Sequence, residues 1–254
     1  MKARRWAVLG AGLGGLLALI AFAPASWLAD RVATASNQHL LLSDARGSIW
    51  NGSAVVVLTG GADSRDATAL PGRLQWNLHW QGLSILLAAR QDCCINGELQ
   101  LRLTPGWRKL DMALLDKPDW LVRWPAGLLA GLGTPWNTLQ LDGSARMLAH
   151  DLRISWNAQG WQQTGEVDLD LLNLSSRVSP IAPLGNYRFR LNGGQLLLTT
   201  LDGALQLQGH GQLSAAGASF RGEASAAPGR EAALDNLLNI MGQRHGARSI
   251  ISLG

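Results

Sequence analysis

The chain has 254 residues, of which 47% are hydrophobic and only 16% are Asp, Glu, Lys or Arg. This composition provides for a sizeable core and excludes a disordered polypeptide. The 30 glycines favour many turns over a helical bundle. The formal net charge is +4, but Lys2, Arg4 and Arg5 contribute three of these charges and the other basic residues are scattered. Nucleic acid is not an expected partner, because phosphate binding requires a basic patch.

An uncharged segment, residues 6–29, follows these three basic residues. Its 24 residues exceed the roughly 20 apolar residues that a helix needs to cross a bilayer. The positive-inside rule places the basic flank in the cytoplasm. The sequence therefore predicts a cytoplasmic stub and transmembrane anchor over residues 1–29 and an exported, β-rich domain over residues 30–254.

A cleaved signal peptide is the alternative interpretation of this segment. Residues 21–23 have the Ala-x-Ala form of a cleavage site, although Pro24 in the following position obstructs the peptidase. A cut after Ala25 would avoid that proline. The length of the segment and its basic flank favour a retained anchor.

Beyond the anchor, short segments alternate apolar and polar side chains with a period of two. Residues 74–80, for example, alternate Leu or Trp with Gln, Asn or His. This pattern predicts half-buried strands of an antiparallel sheet. Gly-containing breaks at residues 192–194 and 202–203 predict hairpin turns. The alternation recurs at residues 99–103, 139–141, 154–156, 167–171, 187–191 and 205–207.

Few segments show helical spacing. Residues 83–89 predict a short helical turn, and residues 118–136 form an insertion rich in Pro, Gly and Trp. Residues 233–241 repeat Ala, Leu and Met at helical spacing before Gly242, and residues 250–251 predict a last strand. We therefore predict a mainly β fold. It comprises one large curved antiparallel sheet of about ten to twelve strands, one N-terminal transmembrane helix and a short C-terminal helix.

No group of residues has the spacing of an active site. The five histidines lie far apart in the sequence, so no metal site is indicated. The glycines of residues 10–15 match a dinucleotide fingerprint, but they lack the strands and helices that such a site requires. Asp168 and Asp170 share a strand face, which we expect to be solvated rather than catalytic. The chain is predicted not to be an enzyme and to use no cofactor.

The two cysteines, Cys93 and Cys94, are adjacent in the sequence. In an oxidising compartment they could form a vicinal disulfide, which needs a distorted eight-membered ring. In a strand their side chains would instead point to opposite faces and remain free thiols. The sequence leaves both alternatives open.

Tryptophan is frequent, with 11 residues against one Tyr and three Phe. Trp120, Trp124 and Trp136 crowd the insertion rich in Pro and Gly. Their amphipathic rings could contact a partner protein or membrane lipid. Ordinary packing of large rings in the core is the alternative.

Four stretches together resemble protein N of the type II, or general, secretion pathway. They are residues 47–52, the strand at residues 74–78, residues 183–188, and the tail from residue 227 to residue 251. Each stretch is weak alone, but their order and the length of the chain agree with that family. The likeness is carried by Gly47, Trp50, Gly52, Trp76, Pro183, Gly185, Tyr187, Gly229, Leu237 and Gly242.

The resemblance implies a non-enzymatic accessory protein of the inner membrane, single-pass, with its C-terminal domain in the periplasm. Its partners would be other type II secretion components, on the inner-membrane platform or at the outer-membrane secretin. The chain also resembles, more loosely, the periplasmic β-sheet proteins of the AsmA and bridge-like lipid-transport group. That likeness implies the alternative function of binding or carrying lipid. A closed hydrophobic core would favour the function of a secretion accessory protein. An open, continuous apolar channel would favour the function of a lipid-binding or lipid-transport protein.

Overall fold

The computed structural model describes residues 2–115, 119–133, 136–214 and 217–253. These residues form a single antiparallel sheet of sixteen strands. The strands are β1 (Leu40–Gly47), β2 (Asn51–Thr59), β3 (Ala67–Ala69), β4 (Leu74–Gln81), β5 (Ser84–Arg90), β6 (Leu99–Gly106), β7 (Lys109–Leu114), β8 (Val122–Pro125), β9 (Leu141–Asn157), β10 (Gly160–Ser176), β11 (Gly185–Asn192), β12 (Gln195–Gly203), β13 (Leu205–Ser214), β14 (Gly217–Ala226), β15 (Gln243–His245) and β16 (Arg248–Leu253).

Strand order in the sheet follows the chain closely. It runs β1-β2-β4-β5-β6-β7-β9-β10-β11-β12-β13-β14-β16-β15, with β3 paired to β2 and β8 paired to β9. Consecutive strands therefore form hairpins, and their turns fall alternately at the two ends of the strands. One end, which we call the hairpin end, carries the turns at residues 47–51, 81–84, 106–109, 157–160 and 192–195.

The prediction of a mainly β fold with one large antiparallel sheet is confirmed, but the sheet has more strands than expected. The additional strands include β3 and β15, which are three residues long and too short to show a periodic pattern. Residues 83–89 are not helical, since they lie mostly in β5. That strand pairs with neighbours on both sides and is partly buried on both faces, so its apolar run shows no alternation.

The helices lie at the two ends of the chain and in the central insertion. They are α1 (Lys2–Ala21), α2 (Ala25–Ala35), α3 (Trp136–Leu139) and α4 (Glu231–Met241), with a 3₁₀ helix at Ala126–Leu132. The C-terminal helix and the last strand, β16, lie where the sequence predicted them. Within the described part of the chain, none of the helices has both the length and the apolar character that spanning a bilayer requires.

The uncharged N-terminal segment is two helices rather than one. The break falls at Pro24, because proline has no N–H for a helical hydrogen bond. Pro24 forms an isolated β-bridge with Ser48, and the Ile49 N–H donates to the Ala23 carbonyl oxygen at 2.9 Å. The end of the segment, from Ala25 onward, is therefore part of the folded domain, where α2 packs against β1.

The buried side chains form three clusters. The largest lies between α4 and strands β9 to β14, and it includes Leu171, Tyr187 and Leu237. A second cluster joins α2 to the first strands through Ala25, Ala54 and Trp76, and the third surrounds Leu114, Leu121 and Ala149. The core thus extends along the sheet instead of gathering at one centre.

Two substitutions in α4 test this packing. Leu237 is 2% exposed, and Leu237→Ala should lower the free energy of unfolding by about 2–5 kcal/mol, since it leaves a cavity in the largest cluster. Ile240, on the same helix, is 38% exposed, and Ile240→Ala should cost less than about 0.5 kcal/mol. Urea unfolding of both variants measures the difference. Equal losses would show that α4 is not docked as described.

Candidate functional site

The two faces of β10 carry different side chains, apolar on one and acidic on the other, because successive residues of a strand point to opposite faces. Leu169 and Leu171 point to the face that α4 covers, where they belong to the largest core cluster. Asp168 and Asp170 alternate with them and point to the other face. The sheet therefore presents an apolar site on one face and a charged site on the other.

An apolar cavity of about 370 Å³ lies between α4 and the sheet, within the roughly 300–1,000 Å³ typical of ligand pockets. Every strand from β10 to β14 contributes to it, so its wall is continuous across five strands. The residues that line it are Leu139, Leu141, Leu171, Leu174, Ser176, Leu184, Phe189, Leu191, Leu196, Leu198, Leu205, Leu207, Gln212, Leu213, Ala218, Ser219, Phe220, Leu237, Met241 and Ile251.

The chemistry of this cavity suits hydrocarbon. Most of its lining residues are apolar, with Ser176, Gln212 and Ser219 as the exceptions. The rings of Phe189 and Phe220 lie 6.5 Å apart between centroids. The lining contains no ionisable side chain, so it offers no general acid or base. Burial of a hydrocarbon here is driven by removal of apolar surface from water.

The opposite face carries a ladder of ion pairs across β9, β10 and β11. The Asp170 carboxylate is fully buried and accepts hydrogen bonds from Arg188 at 2.6 and 3.0 Å and from Arg146 at 2.9 Å. Asp168 accepts two from Arg190, both at 2.8 Å. The expectation that these two carboxylates would be solvated is therefore wrong, because the cross-strand register places an arginine directly opposite each of them.

The ion pairs fix the charges on this face. Burial of the Asp170 carboxyl would raise its pKa, but hydrogen bonds from Arg188 and Arg146 outweigh that effect and hold the pKa below its usual value. The hydrogen bond with Asp170 also raises the pKa of Arg188. A carboxylate held ionised in this way keeps its charge near neutral pH, so the ladder joins β9, β10 and β11 through paired charges.

The residues that carry the family likeness lie in two groups. The first group surrounds the turn between β1 and β2, where the Trp50 Nε1–H donates to the Ile20 carbonyl oxygen at 2.8 Å. The Trp76 Nε1–H donates to the Ile49 carbonyl oxygen at 3.1 Å. Gly52 packs on the Trp76 ring so closely that a Cβ at this position would lie 2.5 Å from Cζ2. Gly47 turns the chain at φ +86°.

The second group lies in and around the largest core cluster. Tyr187 is completely buried, and its hydroxyl donates to the Leu205 carbonyl oxygen at 3.0 Å. Burial, and then the charge of Asp202, raise the pKa of this hydroxyl above its usual value. Pro183 follows a cis peptide bond, Leu237 is buried, and Gly185 and Gly242 each meet backbone that leaves no room for a side chain. Gly229, at φ +79°, forms the turn before α4.

The three tryptophans of the insertion have different surroundings. Trp124 lies in β8 and packs, partly buried, against the largest cluster. Trp120 is partly buried in the preceding loop, where the Arg123 guanidinium lies 5.5 Å from its ring centroid. Trp136 begins α3, and its side chain lies outside the described part of the structure. A contact of these rings with a partner remains a prediction.

Cys93 and Cys94 form a vicinal disulfide in the loop between β5 and β6. Cys94 is buried and Cys93 is exposed. The Cys94 carbonyl oxygen accepts a hydrogen bond from the Arg123 N–H at 2.7 Å, so this loop is joined to the strand that follows Trp120. Among the described residues, His, Cys, Asp and Glu side chains do not gather in threes that could hold a metal ion.

Matched substitutions of two aspartates test the ion-pair ladder. Asp170→Asn should lower the free energy of unfolding by about 2–3 kcal/mol, because the buried hydrogen bonds lose their charged acceptor. Asp111 pairs with Lys109 at 2.9 Å on a solvated surface, so Asp111→Asn should cost less than about 1 kcal/mol. Thermal and urea unfolding at pH 7 measure both.

The contribution of Asp170 to stability should also depend on pH. The pKa of Asp170 is lowered in the folded state, so its contribution is complete above the ordinary carboxyl pKa of about 3.9. This contribution is lost as the pH falls through the lowered folded value. The difference in unfolding free energy between the parent chain and Asp170→Asn should therefore shrink on acidification. A difference that stayed constant would mean that Asp170 does not titrate as described.

The family model described as type II secretion system (T2SS), protein N matches residues 38–251, from the start of the sheet to its last strand. No curated protein and no solved structure matches the chain, so the looser likeness to the AsmA group gains no support. The matched region covers most of the 254 residues and both groups of family-like residues. The chain therefore belongs to the protein N family of the type II secretion system.

Proposed function

We propose that this protein is a non-enzymatic accessory component of the type II secretion machinery, held at the inner membrane with its sheet in the periplasm. The observation that carries this proposal is the family match, which spans the sheet. The ion-pair ladder and the apolar cavity support a binding or structural role, since the carboxylates of the ladder are paired with arginines and the lining of the cavity has no ionisable side chain.

The N-terminal helix supports the proposed attachment. Leu13 and Leu19 of α1 are exposed, as is Phe22 just after it, although apolar side chains of a folded domain are usually covered. Three basic residues lie at the start of the same helix. An apolar helix with a basic N-terminal flank suits a membrane whose basic side faces the cytoplasm.

The edges of the sheet suit contact with other secretion components. The sheet is open, with β1 at one edge and β15 at the other. Edge strands present unpaired backbone groups that can add a strand from a partner. In β1, an irregularity in the register between Ser43 and Arg46 restricts the addition of a strand. We therefore expect partners to add a strand at the other edge, formed by β15 and the adjoining part of β16.

Photo-crosslinking in cells tests the proposed partners. A photoreactive amino acid in place of Ser43 in β1 or His245 in β15 should form adducts with platform or secretin proteins, with the His245 adduct the stronger. The control position is Gln208, which is exposed in the central strand β13. Adducts at Gln208 as strong as those at His245 would contradict contact through the edges.

Deletion of the gene tests the function itself. A strain that lacks the chain should retain exoproteins that the parent strain secretes, while its envelope phospholipids stay unchanged. The intact chain supplied in trans should restore secretion. Normal secretion in the deletion strain would contradict the proposal.

Lipid binding is a second candidate function, favoured by the apolar cavity. Purified protein should then carry phospholipid or fatty acid detectable by native mass spectrometry. Leu196 lines the cavity, whereas the adjacent Leu197 is exposed and does not line it. Leu196→Gln should lower lipid occupancy several-fold, while Leu197→Gln should not. Protein that carries no lipid would show that the cavity is only part of the core.

A further inference from the structure

Two successive turns at the hairpin end expose large apolar side chains. Trp80 and Leu83 flank the turn between β4 and β5 and are 60% and 88% exposed. Trp107, in the turn between β6 and β7, is 92% exposed. Large apolar side chains exposed close together, rather than singly, favour a surface that is covered in use.

The N-terminal helix leaves the sheet at this same end. Trp50, in the turn between β1 and β2, donates to the carbonyl oxygen of Ile20 in the last turn of α1. Phe22 and Trp27, beside this junction, are 82% and 52% exposed. Neighbouring hairpins are two strands apart, or about 10 Å. The register places Trp50 beside Leu78, so the end of α1 lies about 10 Å along the strands from the turn between β4 and β5. The exposed side chains and the end of α1 therefore form an inclined row on the same side of the strands.

The two ends of the strands differ in charge. The turns at residues 47–51, 81–84 and 106–109 contain no Asp or Glu, and the third contains Arg108 and Lys109. The acidic groups nearest these turns are paired, Asp111 with Lys109 and Asp44 with Arg46 and Arg73. At the opposite end, the connections between β2 and β3 and between β5 and β6 include four acidic residues against one basic residue, Arg65. The acidic residues are Asp63, Asp66, Asp92 and Glu98, of which Glu98 pairs with Arg90.

We propose that the hairpin end lies against the lipid bilayer, with Leu83 and Trp107 inserted among the headgroups and Trp80 beside them. Tryptophan rings favour the membrane interface, and arginine and lysine beside them attract anionic lipid. A bilayer fits this row better than a protein partner because α1 reaches the same end. The inference rests on the proposed attachment at the inner membrane and adds an orientation of the sheet on that membrane.

Site-specific fluorescence quenching tests the orientation on the full-length protein. The two cysteines are joined to each other, so one engineered cysteine can carry a fluorophore. Leu83→Cys and Trp107→Cys report on the hairpin end, and both positions are exposed enough to accept the label without unfolding. Leu13→Cys reports on α1, and Ala62→Cys, exposed in the connection between β2 and β3, is the control at the opposite end.

The protein is reconstituted in nanodiscs of phosphatidylethanolamine and phosphatidylglycerol, in which one lipid carries a nitroxide near the headgroup. Labels at Leu83 and Trp107 should lose about half of their fluorescence or more relative to nitroxide-free discs, as expected of interfacial side chains, while the label at Ala62 should lose none. Quenching at Leu13 verifies the anchor independently.

Quenching at Leu13 but not at Leu83 and Trp107 would overturn the orientation and leave the proposed attachment intact. Quenching at none of the positions would overturn both. If other secretion components protected the Leu83 and Trp107 labels from aqueous iodide while lipid nitroxide had no effect, the hairpin end would be a protein interface. The inference would then be wrong.

Discussion

The constraint on which this structure depends is the antiparallel pairing of almost every strand with its neighbour in the chain. Side chains alternate between two faces with a period of two, and turns alternate between two ends. The apolar cavity, the ion-pair ladder and the hairpin end all follow from that arrangement. The register between β10 and β11 is central, because it places Asp170 opposite Arg188 and, on the other face, Leu171 opposite Tyr187. A shift of one residue would exchange the two faces.

The sequence predicts much of the fold because half-buried strands record their environment in their pattern. β4, β10 and β11 alternate clearly and were predicted from that alternation. β5 was mistaken for a helical turn because both of its faces are partly buried, which removes the signal. In the sequence, Pro24 obstructs cleavage and interrupts the stretch that follows the glycines of residues 10–15. Its effect on the fold depends on a contact with Ser48, and such a long-range contact is not visible in the local sequence.

The candidate sites were less predictable, because each depends on residues brought together by register. The apolar cavity joins side chains from Leu139 to Ile251, and no short motif contains them. The ladder could have been found, since acidic residues at alternate positions of β10 match Arg188 and Arg190 at alternate positions of β11. Asp168 and Asp170 alone resemble an ordinary wet face. Whether Cys93 and Cys94 form a disulfide or remain free thiols depends on the conformation of their loop. The local sequence does not specify that conformation.

The proposed orientation separates two kinds of contact along the strands. With the hairpin end on the bilayer, the opposite end projects into the periplasm. The loop of Cys93 and Cys94 and the segment of Trp120 lie at that far end, where they are joined by the hydrogen bond from the Asn96 side chain to the Trp120 carbonyl oxygen at 2.9 Å. The open edge of the sheet at β15 lies along the side of the sheet, so it belongs neither to the hairpin end nor to the opposite end of the strands. A sheet fixed to the membrane in this way would present its edge and its far end to the rest of the secretion machinery.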